Sequence, residues 1–88
     1  AKRKATFDEF ALTNHDAEAR ALILKDWRKR YAKERDVPAF VVFSDKTLRD
    51  LANKNPATLS DLLNVYGMGP AKLEAFGQDL LKELGRAD

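Results

Sequence analysis

The chain has 88 residues, of which 16 are Lys or Arg and 14 are Asp or Glu, for a net charge of +2. That suffices for one small domain with a modest core and is too short for a motor or for a cofactor-binding enzyme with its own substrate domain. There is no cysteine and no apolar run near the ~20 residues of a membrane span, so disulfides, iron–sulfur clusters and thiolate-held zinc are excluded and no membrane partner is expected.

Ala1 to Lys4 read as a basic tail, and Thr6 to Leu12 as a short mixed stretch whose Phe7, Phe10 and Leu12 can dock on a neighbour. Residues 1–16 are therefore expected to be a leader or linker, 17–85 a helical domain and 86–88 a tail. The first residue is Ala, not Met, and no signal peptide is visible, which suggests a piece of a longer chain. Asn14 and Asp16 are good cap residues, and from Ala17 to about Arg35 there is neither Gly nor Pro, so a long helix is predicted. Leu24, Trp27 and Tyr31 recur at helical spacing with Ile23 and Ala32 beside them, marking the face to be buried. Lys25, Arg28, Lys29, Lys33 and Arg35 fall mostly on the other faces.

Asp36-Val37-Pro38 ends that helix, since the residue before proline is pushed away from helical angles. Ala39 to Phe43 is an apolar run with no second strand to pair with, so it is expected to be a buried connector. Ser44 then caps a helix from Asp45 to about Lys54, with Leu48, Leu51 and Ala52 inward. Asn55-Pro56 breaks it, and Thr58 caps a short helix carrying Leu59, Leu62, Leu63 and Val65. Gly67-Met68-Gly69 makes a tight turn, and Pro70 opens a last helix running to about Leu84 and ending at Gly85. Gly77 interrupts that helix, where the missing side chain permits a close helix contact. The predicted fold is an all-α bundle.

The residues offer little for catalysis. The single histidine, His15, lies in the leader, and Asp45 and Asp50, five apart on a helix, point about 140° away from each other. No active site, metal or cofactor is expected. Gly67-Met68-Gly69-Pro70-Ala71-Lys72 lacks the third glycine of a dinucleotide fingerprint and has no strand before it. Two uses remain for the turn: its backbone N–H groups with Lys72 hold a phosphate, or it merely joins two packed helices.

The run Val37-Pro38-Ala39-Phe40-Val41-Val42-Phe43-Ser44-Asp45-Lys46-Thr47-Leu48 is followed by Leu51-Ala52, Pro56, Thr58, Leu62-Leu63, Gly67-Met68-Gly69, Lys72-Leu73 and Phe76-Gly77. Together with Trp27-Arg28 and Ala32, this pattern resembles the HRDC domain, the helicase and RNase D C-terminal module, over roughly residues 17–84. The resemblance implies a compact bundle of about five helices that serves as a nucleic-acid-binding accessory in RecQ-type and UvrD-like helicases and RNase D exonucleases, and hydrolyses nothing itself. The family's common Pro-Pro-Tyr is Pro38-Ala39-Phe40 here, so Phe40 has no hydroxyl and any contact it makes to a base rests on stacking.

Charge is unevenly placed. Residues 20–54 hold ten basic side chains against five acidic ones, a balance of +5, whereas residues 1–19 sum to −1 and residues 55–88 to −2. A basic patch of Arg28, Lys29, Lys46, Arg49 and Lys54 is expected to track a nucleic-acid backbone. Phe40, either a stacking platform or a core residue like its neighbours, and Tyr66 are the aromatics that stack a base. Gly67, Gly69 and Lys72 add phosphate contacts. Single-stranded or junction DNA is the expected partner, read with little sequence specificity, since no helix looks built for a major groove. RNA presentation in an RNase D-like enzyme, or docking on the helicase core of the same chain through the acidic last helix, are the other readings. The domain is expected to be monomeric and cytoplasmic, with the nucleoid in a bacterium, or nuclear in a eukaryote.

Overall fold

The fold, a computed structural model, is described over residues 11–85, and every regular element among them is helical. Residues 1–10, with the basic tail, Phe7 and Phe10, and residues 86–88 lie outside the described part. The first helix, α1 (His15–Arg35), starts where Asn14 accepts the backbone N–H of Ala17 at 2.9 Å. His15 thus belongs to the first helical turn and not to a leader. The helix stops at Asp36, whose left-handed φ of 57° lets its N–H reach back to the carbonyls of Ala32 and Lys33. Ala17, Ala21, Leu24, Trp27 and Ala32 line its buried side, with Tyr31 half-buried. Ile23, expected on that stripe, is 43% exposed, because it sits about 100° from Leu24, beyond the edge of the buried arc.

The apolar run after Pro38 is a single helical turn, α2 (Ala39–Val42). The expectation of a buried connector holds for Val42 and Phe43 and fails for Phe40, which is 72% exposed, and Val41, which is 51% exposed. One turn of helix touches the core along one side only, so its four apolar side chains cannot all be covered. Phe43 then drops into the core, and α3 (Asp45–Lys54) begins on Ser44, whose hydroxyl accepts the N–H of Thr47 at 3.2 Å. Arg20 reaches the carbonyl of Ala52 and Arg28 that of Phe43, so α3 lies antiparallel to α1.

Thr58 caps the short α4 (Leu59–Leu62), accepting the N–H of Asp61. The last helical rod is continuous, yet it has three parts: α5 (Pro70–Lys72), a π-helical turn (Leu73–Gly77) and α6 (Gln78–Glu83). A Cβ on Gly77 would stand 2.9 Å from Leu59 Cδ2, which is the close approach expected of that glycine. Trp27, Tyr31, Phe43 and Phe76 form an aromatic centre with ring centroids 4.8 to 6.2 Å apart. Leu24, Leu51, Leu62 and Leu80 complete it, none of them reached by solvent. Burying a leucine side chain contributes about 2 kcal/mol, so these four positions anchor the bundle.

Candidate nucleic-acid interface

The basic residues of α1 and α3 divide into two groups. Arg28 is buried. It donates to the carbonyl of Phe43 and to the carboxylate of Asp45, both at 2.9 Å, and its carbon Cζ lies 5.6 Å from the centre of the Phe43 ring. It therefore ties α1 to the start of α3 and presents no free edge to a phosphate, contrary to its expected place in the patch. The reason is local: Phe43 ends a helical turn with an extended backbone, and its buried carbonyl needs a donor. Lys54 is likewise engaged, donating to the carbonyl of Asn64 at 2.6 Å and pairing with Asp50 at 3.1 Å. The Lys72 ammonium donates to the carbonyl of Val42 at 2.7 Å, bridging α5 and α2.

The second group faces solvent. At about 100° per residue, Lys46 and Arg49 share the outer side of α3, opposite Leu51. On α1, Lys29 stands outward with Lys25 and Lys33 one turn to either side, and all five side chains belong to exposed residues. Neither Lys29 nor Arg49 has an ion pair or hydrogen bond among the described residues. Arg30, by contrast, is held by Asp26 at 2.9 Å and Glu83 at 3.0 Å, and the hydrogen bonds it donates to those carboxylates raise its pKa above the ordinary arginine value.

The turn after α4 is built against the flank of α3. Asp50, 8% exposed, accepts the backbone N–H of Tyr66 at 2.7 Å while it holds Lys54. Gly67 adopts a φ of 74°, and a Cβ there would meet the Thr47 hydroxyl oxygen at 2.5 Å, so the position needs glycine twice over. Tyr66 is left half-exposed in that turn. Gly69 precedes Pro70 with an ordinary negative φ and open space where a Cβ would be, so its role is conformational ease at the helix entry. Phe40, on the turn between the two basic helices, has its ring in solvent. Lys29, Lys46, Arg49, Phe40 and Tyr66 are thus exposed at the surface, while Arg28, Lys54 and Lys72 hold the loops between them.

Sequence reasoning missed two features. Asp50 stands out in the sequence only as a carboxylate out of phase with Asp45, and its spacing from Tyr66 gives no sign that it would hold the turn. Arg35 was counted as one more exposed cation, yet its guanidinium lies 3.7 Å from the centre of the Tyr31 ring. The i, i+4 spacing of that pair was the available signal.

Among the described residues no three His, Asp or Glu side chains are grouped as metal ligands, and no helix is long and apolar enough to cross a membrane. Comparison with known proteins places the family model of the HRDC domain on residues 17–84. The chain is 46% identical over 61 residues to the ATP-dependent DNA helicase UvrD2 of Mycobacterium tuberculosis, a match covering 69% of this chain and 9% of that protein. It is 37% identical over 82 residues to the ATP-dependent DNA helicase RecQ of Bacillus subtilis, covering 93% of this chain and 14% of RecQ. Among solved structures, the D. radiodurans RecQ HRDC domain 3 superposes with a TM-score of 0.75 at 36% identity, over 82% of this chain and 93% of that one. The chain thus spans a small fraction of the two helicases it matches.

Proposed function

The chain belongs to the HRDC domain family, and from that premise we propose that it is the accessory module of a DNA helicase that contacts single-stranded DNA or a strand junction without reading its sequence. The observation that carries this reading is the exposed ring of Phe40 on α2, set between the two helices that present Lys29, Lys46 and Arg49. An aromatic face in solvent between helices that carry exposed cations suits a strand whose bases are unstacked and whose phosphates are bare. The relatives named as DNA helicases support DNA as the nucleic acid. Each cation replaces condensed counterions on the strand, and a base laid on Phe40 adds ~1 to 3 kcal/mol. Tyr66, half-exposed in the turn that Asp50 holds against α3, extends the track, and the Gly67 to Lys72 segment contributes backbone N–H groups at its end.

Binding by three cations is weak and steep in salt. For single strands each phosphate neutralised gives a slope of about −0.7 in log K against log salt, so three give about −2. Fluorescence anisotropy of a labelled oligothymidylate at two salt concentrations measures this directly. Absence of binding at low salt, or binding indifferent to salt, refutes the proposal. Comparing the matched RNA strand in the same titration separates a helicase accessory from an RNA-presenting one, because only an RNA reader senses the 2′-hydroxyl.

A further inference from the structure

Beside α2 the surface opens into a groove of about 260 Å³ whose apolar walls are Tyr31, Val41, Ala75 and Phe76. Arg35 and Lys72 are the charged residues lining it, and no Asp or Glu does. We infer that this groove receives one unstacked base of a single strand, with Arg35 on the phosphate to one side of it and, on the other, the two Lys72 N–H groups not given to the Val42 carbonyl. The inference rests on the DNA-binding reading above and names a second subsite within it, distinct from the face of Phe40.

Three features of the molecule support that occupant. The volume falls just short of the ~300 Å³ at which pockets for whole drug-sized ligands begin, so it suits one flat ring system. The guanidinium of Arg35 is laid on the Tyr31 ring at 3.7 Å, and Glu34 contacts it at 3.5 Å. Such a plane is a stacking surface for bases as well as a cation. Charge complementarity excludes an acidic lining and favours a ligand that is apolar in the middle and anionic at both ends, which describes a base within its own backbone and not an apolar peptide. The wall carrying Ala75 and Phe76 is the π-helical turn (Leu73–Gly77), a geometry frequent at functional sites. Val41 joins the groove to Phe40, its neighbour on α2, so adjacent nucleotides reach both subsites.

Methyl resonances of Val41 and Ala75 test the proposal. The protein is titrated at low salt with a short oligothymidylate, and separately with a strand of equal length made only of abasic sugar-phosphate. Val41 and Ala75 methyls are expected to move upfield with the thymidylate alone, while the amides of Lys46 and Arg49 move with both strands. Filling the groove with Ala75→Trp is expected to weaken thymidylate binding roughly fivefold or more, the equivalent of one stacked base, and to leave the abasic strand unaffected. Stationary groove methyls with moving α3 amides overturn the base subsite and leave the DNA reading intact. Equal methyl shifts with both strands overturn it too, by showing backbone contact only. A hydrophobic peptide that moves these methyls more strongly than the thymidylate also overturns it. Absence of any shift overturns both readings.

Discussion

Where α1 meets the start of α3, Arg28 is 7% exposed and its donors are fixed on the Phe43 carbonyl and the Asp45 carboxylate. On the outer side of α3, Arg49 stands in solvent with no hydrogen bond or ion pair among the described residues. The two residues are alike in charge and lie on adjoining helices, yet one holds the fold and the other is available to a ligand. What separates them is the buried carbonyl beneath Arg28, because an unpartnered acceptor in the interior costs free energy that only a donor from elsewhere removes. Lys54 falls on Arg28's side of the division, donating to the Asn64 carbonyl and pairing with Asp50, whereas Lys72 does both: one of its N–H groups holds the Val42 carbonyl at the end of α2 while the side chain lines the groove beside it.

This contrast is broken most directly at Arg28. Arg28→Ala leaves the Phe43 carbonyl without a donor, and an expected loss of about 3 kcal/mol follows from a charged, buried hydrogen-bond pair. Urea unfolding measures it, and strand binding below the melting transition is expected to stay near wild type. A loss of binding without a loss of stability would reverse the assignment of this residue. Gly67→Ala is next, with a positive φ and a Cβ on the Thr47 hydroxyl. It is expected to cost about 2 kcal/mol, and Gly67→Ala combined with Thr47→Ala is expected to recover part of that by relieving the contact.

On the exposed side the effects appear in affinity. Phe40→Ala is expected to weaken thymidylate binding by ~1 to 2 kcal/mol with an unchanged melting temperature, since the ring contributes little to the core. Lys29→Ala with Arg49→Ala is expected to leave stability within about 0.5 kcal/mol and to flatten the salt slope by about 1.4, two phosphates' worth. The smallest effect is at Asp50→Asn, which keeps an acceptor for the Tyr66 N–H and loses the pairing with Lys54. A decrease of about 1 kcal/mol in unfolding free energy, with little change in affinity, is expected there. If affinity instead falls as far as for Phe40→Ala, the geometry of the turn matters to binding more than the exposed cations do.

Much of the architecture was legible along the chain. Asn14, Ser44 and Thr58 were identifiable caps, and each accepts the backbone N–H its position requires. Gly77 was expected to allow close contact and Gly67 to turn the chain, and both do so. The π-helical turn was not legible, because Leu73 to Phe76 is an ordinary helical sequence and Gly77 signals only a close helix contact, not a widened turn. The candidate site was legible as a set of residue types and not as a surface. Phe40 sits in the same apolar run as Phe43, and periodicity in a run of five cannot say which ring is covered.

The sequence by itself determined the family, the helical class, the caps and breaks, and the concentration of positive charge in residues 20–54, because these depend on local spacing and composition. Only the tertiary structure decided which cations are available. A carbonyl released at the end of one helix must find a donor on another, and the residue that meets it, Arg28 for Phe43, Lys54 for Asn64 or Lys72 for Val42, depends on contacts between segments 10 to 30 residues apart in the chain.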